Sequence, residues 1–237
     1  MPPTTHLPTL LLACAFSISA LSGPAEAQAD RKQVSIGGSS IELTLPEGHC
    51  AMSRDDDRDR RVIELVEGAT GGANEVVLAF ADCDHLTAWR NGERRTLGDF
   101  GQFQTLVKAK NQDLKGAEAQ LVKQICDQFR SQGEGLFQGA AEQVNKNLKS
   151  MATTMTTNEM KFLGIYSEST RQCTTSFIQK ATTEGGASKT LYGINTNMIL
   201  NGKIVYFNFY TTYENEETLA TIRRKHAAAL EALLAGN

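Results

Sequence analysis

Thr190-Leu-Tyr-Gly-Ile-Asn-Thr-Asn-Met-Ile-Leu200-Asn201-Gly202-Lys203-Ile-Val-Tyr-Phe-Asn-Phe-Tyr-Thr-Thr212 is the stretch that decides the fold. Two long runs rich in β-branched and aromatic residues flank an Asn-Gly pair, the strongest short-range hairpin signal, because a type I′ turn needs positive φ at both central positions. The second run, Ile204 to Tyr210, is apolar or aromatic on both faces, which predicts a sheet covered on both sides. Upstream, Met160 to Ser167 and Cys173 to Thr182 read as two more strands. Downstream, Glu216 to Leu234 reads as an amphipathic helix whose acidic start suits the helix dipole.

Working back towards the N-terminus, Asp113 to Met151 (113–151) shows helical spacing, with Leu114, Ala117, Leu121, Ile125 and Phe129, then Phe137, Ala140, Ala141, Val144 and Leu148. Gly133-Glu-Gly135 between the two sets predicts a turn and an antiparallel helix pair. Phe100 to Val107 and the apolar Glu75 to Ala81 read as strands. A helix with Val62, Ile63, Leu65 and Val66 inward is expected to be capped by Ser53 or Asp55 and stopped by Gly68. Gln33 to Ile36 and Ile41 to Leu45 predict an opening hairpin with Gly37-Gly38-Ser39-Ser40 as its turn. The fold class that follows is α/β of the α+β kind: a mostly antiparallel sheet covered by helices on both faces, with a helical insert.

The first 29 residues carry a different message. Leu10 to Leu21 is a twelve-residue apolar block, followed by Gly23-Pro24 and the small-x-small Ala25-Glu-Ala27. Roughly 20 residues are needed to span a bilayer, so residues 1–29 read as a signal peptide cleaved after Ala27 or Ala29. Cys14, in a Leu-Leu-Ala-Cys box, raises a lipoprotein anchor; apolar residues continue well past it, and the h-region reading is preferred. The expectation is one domain over 30–237, periplasmic or secreted, with no transmembrane segment after cleavage. The near-balanced charge supplies no field for nucleic acid.

Cys50, Cys83, Cys126 and Cys173 remain, an even set for an oxidising compartment, and four cysteines allow three pairings. The preferred one joins Cys50 to Cys83 and Cys126 to Cys173, each loop worth roughly 3–4 kcal/mol in the chain-entropy model. That bridge would draw His49 towards His85; with Asp84 they form the candidate metal set, since imidazole and carboxylate suit zinc or copper. Arg90, Arg94 and Arg95, around Asn91-Gly92, are the candidate anion-binding residues because guanidinium groups grip carboxylate or phosphate bidentately. The acidic run Asp55 to Asp59 reads as a helix start, and Trp89, Tyr206, Phe207, Phe209 and Tyr210 as packing. His226, after Arg223-Arg224-Lys225, is expected to be exposed. The chain has no nucleophile elbow, zincin helix, P-loop or dinucleotide turn.

Ile41-Glu-Leu-Thr-Leu-Pro46-Glu-Gly48, together with the strand, Asn-Gly turn, aromatic strand and helix of Gly193 to Asn237, resembles the PsbP/Mog1-like fold. Cys83-Asp-His-Leu-Thr-Ala-Trp89-Arg-Asn-Gly92 is similar to a group of exported proteobacterial proteins. The resemblance implies an antiparallel sheet between helices and a non-catalytic binding or assembly role without a cofactor. The four cysteines and the helical insert depart from the PsbP/Mog1 pattern. The function expected is therefore an exported, disulfide-stabilised, non-enzymatic module binding a periplasmic protein or small ligand. The alternatives are a metal-binding protein or metal-assisted enzyme using His49 and His85, and a small-molecule or lipid carrier with its pocket against Phe207 and Phe209.

Overall fold

The computed structural model describes residues 30–151, 153–182 and 186–237. The signal segment, its cleavage and Cys14 lie outside the described residues. The elements run β1 (Arg31–Ile36), β2 (Ser39–Thr44), β3 (His49–Ala51), α1 (Asp57–Ala69), β4 (Asn74–Asp82), α2 (Cys83–Arg90), β5 (Phe100–Leu106), α3 (Glu118–Ser150), β6 (Thr156–Glu168), β7 (Gln172–Thr182), β8 (Ser188–Leu200), β9 (Lys203–Thr212) and α4 (Glu216–Ala235). Seven strands form one sheet in the order β3-β4-β5-β9-β8-β7-β6, every neighbour antiparallel. β1 and β2 pair separately as a hairpin.

Both faces of the sheet are covered. Phe80, Phe103, Tyr192, Ile194, Phe207 and Phe209 form the larger core against the β1–β2 hairpin and α4, whose Ile222, Ala229, Leu230 and Leu233 point inward. The opposite face carries two smaller clusters. Val76, Ala79 and Ala81 of β4 pack with Ile63 and Leu86 of α1 and α2, and Cys173 and Ile199 pack beneath Val122 and Cys126 of α3.

The turns obey local chemistry. Asn201 and Gly202 adopt φ of 49° and 78°, the predicted type I′ turn. Gly37 and Gly38, at 52° and 82°, make a second two-residue turn, so Ser39 and Ser40 belong to β2 and not to the turn expected from them. The cap of α1 is Asp56, whose carboxylate accepts from the N–H groups of Arg58 and Asp59.

Three elements differ from the sequence expectation. The helix pair is one 33-residue helix, α3, that runs straight through Gly133, Gly135 and Gly139. A glycine in a helix interior costs about 1 kcal/mol relative to alanine; here the long stripe Val122, Cys126, Gly133, Phe137, Ala141 and Leu148, buried on one side, outweighs it. Gly133 is there because the Phe162 ring lies against its backbone, 2.3 Å from where a Cβ would stand. The segment after β4, read as a strand end, opens into the short helix α2, capped by Asp82 and anchored by Leu86. Three residues, His49 to Ala51, add the edge strand β3.

β9 is also less apolar than its composition suggests. Phe207 and Phe209 face α4, while Asn208 on the other face joins a row of carboxamides across four strands. Asn197 donates to Asn195 (2.5 Å), Asn195 to Asn208 (2.6 Å), and Asn208 and Asn74 both to Gln104 (3.4 and 3.2 Å). Gln104, Asn197 and Asn208 are buried. Buried amides lose most if their partners slide, so this row holds β4, β5, β9 and β8 in one register.

Candidate functional site

The end of the sheet formed by β3, β4 and α2 gathers most of the candidate residues. Cys50 is bonded to Cys83 and Cys126 to Cys173, the pairing preferred from loop size. Successive residues of a strand point to opposite faces. His49 therefore turns into the large core while Cys50 turns towards α1 and α2. The His49 ring stands edge-on to Phe209 and Phe80, with centroids 5.0 and 5.7 Å away. Its Nδ1–H donates to the Glu47 carbonyl at 2.9 Å, which leaves Nε2 bare and buried. Burial holds this imidazole below its ordinary pKa.

His85 leaves the same junction in another direction. It lies on α2, half-exposed, its ring beside Gly98 and its Nδ1 3.9 Å from Asp82. Asp84 faces solvent. The bridge thus joins the strand to the helix without bringing the two imidazoles into one set. Among the described residues no group of three or more His, Cys, Asp or Glu side chains is placed to hold a metal ion.

Arg90 is committed elsewhere. Its Nε and Nη2 reach the fully buried Asp59 at 3.1 and 2.5 Å, and Nη2 also donates to the Ala51 carbonyl. Asp59 accepts in addition from the Ser53 N–H at 2.9 Å. One ion pair so ties α1, α2 and β3 together, and its carboxylate raises the Arg90 pKa further. Of the other two arginines, Arg94 donates to the Thr96 carbonyl at 3.4 Å and Arg95 is exposed.

His226 corrects the expectation of an exposed residue: it is 1% exposed. Leu230, Leu233 and Ile222 set the inward face of α4, and His226 shares it, stacked on Phe207 with centroids 4.7 Å apart. Its polarity is met by a chain of hydroxyls on the sheet. Thr174 donates to the Gln172 carboxamide oxygen at 2.5 Å, so its own oxygen receives the Thr196 hydroxyl at 2.8 Å. Thr196 in turn accepts from His226 Nε2–H at 2.9 Å. Nδ1 is left bare, and burial lowers the pKa to about 3.

That shift has a measurable consequence. The folded chain keeps His226 neutral down to about pH 3, whereas the unfolded chain takes up a proton below about pH 6.5. Stability is complete above the unfolded value and falls as pH drops, by about 1.4 kcal/mol per pH unit below 6.5. Urea unfolding at pH 7 and pH 5 is expected to differ by about 2 kcal/mol from this residue. His226→Gln, which keeps a donor for Thr196, is expected to lose most of the slope; His49 supplies the remainder. An unchanged slope in that variant would show that His226 is protonated in the fold.

Clefts open on the surface of the described residues, two of them beside candidate features. One, of about 570 Å³, is lined by Lys115, Glu118, Thr170, Arg171, Asn201 and Asn237; Arg171 there donates to the Leu234 and Asn237 carbonyls and so closes the end of α4. The other, of about 500 Å³, runs along β6 and is lined by Arg130, Phe162, Ile165, Tyr166 and Glu168. Neither involves Phe207 or Phe209, which are fully buried among Phe80, Phe103 and the two histidines. The space a carrier pocket would need between sheet and α4 is filled by side chains.

β6 is the long edge of the sheet among the described residues, opposite the short edge strand β3. It presents Leu163 and Tyr166 at 43% and 40% exposure, two of the four large apolar side chains exposed among the described residues. The sequence marked β6 as a strand but held no signal that it would be an edge, since pairing order depends on the whole topology. Behind Tyr166, the Arg223 guanidinium lies 5.4 Å from both the Tyr166 and Tyr192 ring centroids and donates to the Tyr192 hydroxyl at 3.0 Å. That contact fixes the inner side of the exposed tyrosine.

No family model matches the chain, and no curated protein matches it. Among solved structures it is similar to the Saccharomyces cerevisiae Ran-binding protein Mog1p, at 13% identity over 88% of this chain and 92% of that one, with a TM-score of 0.32. A mutant of protein Mog1 is similar at 14% identity over 87% and 92%, with a TM-score of 0.34. At these values the partner named for Mog1p does not transfer to this chain.

Proposed function

We propose that this chain is an exported, disulfide-stabilised binding module that engages a protein partner through the β6 edge and performs no chemistry of its own. The observation that carries the reading is Tyr166, 40% exposed and lining the 500 Å³ cleft, with the exposed Leu163 on the same strand, which has no outer neighbour among the described residues. Exposed large apolar side chains that share a strand with a cleft mark an interaction site more often than ones scattered singly do. Three register shifts in the pairing of β6 with β7 interrupt its flat edge. Such shifts work against end-to-end strand pairing, so recognition rests on side chains and not on a continuous ladder. Export is supported by the two disulfides, which persist in oxidising compartments. Among the described residues no helix is long and apolar enough to cross a membrane.

Two measurements test this. Fractionation of producing cells with thiol alkylation is expected to find the chain outside the cytoplasm with Cys50, Cys83, Cys126 and Cys173 unlabelled; a cytoplasmic pool with four free thiols would refute export. A photo-crosslinking residue at Leu163 is expected to give a discrete protein adduct, lost on Tyr166→Ala, while the same residue at Glu142, exposed on α3, gives none. Equal yields from both positions, or none from either, would remove β6 as the binding edge.

A further inference from the structure

The two disulfides occupy different physical environments. Cys126 and Cys173 are 3% and 0% exposed, enclosed by Val122, Ile199 and the partly buried Leu121, Ile125, Phe129 and Ile165. An attacking thiolate reaches those sulfurs only if α3 lifts from the sheet. Cys50 and Cys83 are both half-exposed, at the rim of the sheet. β3, which carries Cys50, has three residues, a single neighbour and a three-pair ladder: His49 with Asp82, Cys50 with Ala81, Ala51 with Phe80. Cys83 is the first residue of α2, next to the strand end. A half-exposed bond at the rim is reached by an attacking thiolate without lifting α3 or opening the large core, so it is accessible while the rest of the fold stands.

We infer that Cys50–Cys83 is a thiol–disulfide exchange site for an external dithiol, and that Cys126–Cys173 is a permanent staple. The inference rests on the export reading, because exchange presupposes that both bonds form. A thiolate of the dithiol attacks Cys50 Sγ and forms a mixed disulfide, while the S–S bonding pair passes to Cys83 Sγ. The second thiol of the reagent then attacks its own sulfur in the mixed disulfide and releases Cys50 as a thiolate. The protein gains two electrons and, on protonation, two protons; the dithiol becomes a disulfide. Cys83 is the better leaving group of the two because the N-terminal end of α2 stabilises negative charge, an effect partly offset by the carboxylates of Asp82 and Asp84. Reduction removes the covalent tie between β3 and α2, leaves the hydrogen bond from Arg90 to the Ala51 carbonyl as the remaining side-chain link, and loosens the cluster of Met52, Ile63, Leu86 and Trp89.

Trp89 is the single tryptophan of the chain and packs in the same cluster as Cys50, so its fluorescence reports this bond directly. The test is a titration of the fully oxidised chain with dithiothreitol under native conditions, quenched with iodoacetamide and mapped by mass spectrometry, with Trp89 emission followed in parallel. Cys50 and Cys83 are expected to be labelled together at dithiothreitol concentrations at least tenfold below those that label Cys126 and Cys173, with the emission change tracking the first pair. Labelling of Cys126 and Cys173 first, or of all four together, would overturn the inference. Because the purified, oxidised chain is used, that failure is separate from a failure of export, which the thiol count in cells reads.

Discussion

A Cys126→Ala/Cys173→Ala variant is expected to lose roughly 4 kcal/mol or more of folding stability, seen as a fall in Tm of roughly 8–16 °C for a chain of this size. The bond closes a separation of 47 residues and joins the long insert helix to β7. Without it the unfolded chain regains the loop entropy, and the native state also loses two sulfurs from a closed cluster of side chains. A Cys50→Ala/Cys83→Ala variant removes a loop of similar size, 33 residues, from a half-exposed rim. Its loss is expected to be smaller because the loop is shorter and its half-exposed cysteines give up less buried packing than the closed Cys126–Cys173 cluster. Denaturant unfolding of the two variants side by side decides the order, and a larger loss from the Cys50–Cys83 pair would contradict the division into staple and exchange site.

Arg90→Met is expected to destabilise by about 3–5 kcal/mol, the range for stranding one charge of a buried pair. Asp59 is fully buried and accepts from Arg90 and Ser53; without Arg90 it retains a single backbone donor. The reverse substitution, Asp59→Ala, is expected to cost less, because the Arg90 side chain is 34% exposed and can turn its charge to water. Asp59→Leu/Arg90→Met is expected to recover much of the loss, as apolar replacements of a buried pair often do. Chemical denaturation of the three variants provides the check. Equal losses from the two single substitutions, or no recovery in the double, would show that the pair contributes little to joining α1, α2 and β3.

The local rules of the chain were legible where one principle acted alone. Asn201-Gly202 can adopt positive φ cheaply, and the runs on either side alternate or fill both faces, so the central hairpin, its neighbours and α4 follow from residue chemistry. The even cysteine set and the loop lengths were enough to prefer the pairing that the structure contains. Gly133 misled because a glycine pair reads as a turn when the Phe162 ring that packs against it is unknown. α2 went unseen because eight residues with one buried anchor, Leu86, give almost no periodic signal, although Asp82 stood ready as its cap.

The candidate site was less legible still, since side-chain roles depend on what other elements bring to them. His226 follows three basic residues and looks solvated until α4 is laid on the sheet, when its ring meets Phe207 and Thr196. Arg90 looks free until Asp59, 31 residues away, is folded against it. What the sequence determined by itself was most of the strands, the C-terminal helix, the Asn201-Gly202 turn, the cysteine framework and the covered sheet, set by local residue chemistry or by composition. Which histidines are buried, which arginine is consumed, which disulfide meets solvent and which strands are left as edges were decided by the tertiary structure. Each of those is a consequence of strand order and helix placement, which bring together residues that no local pattern connects.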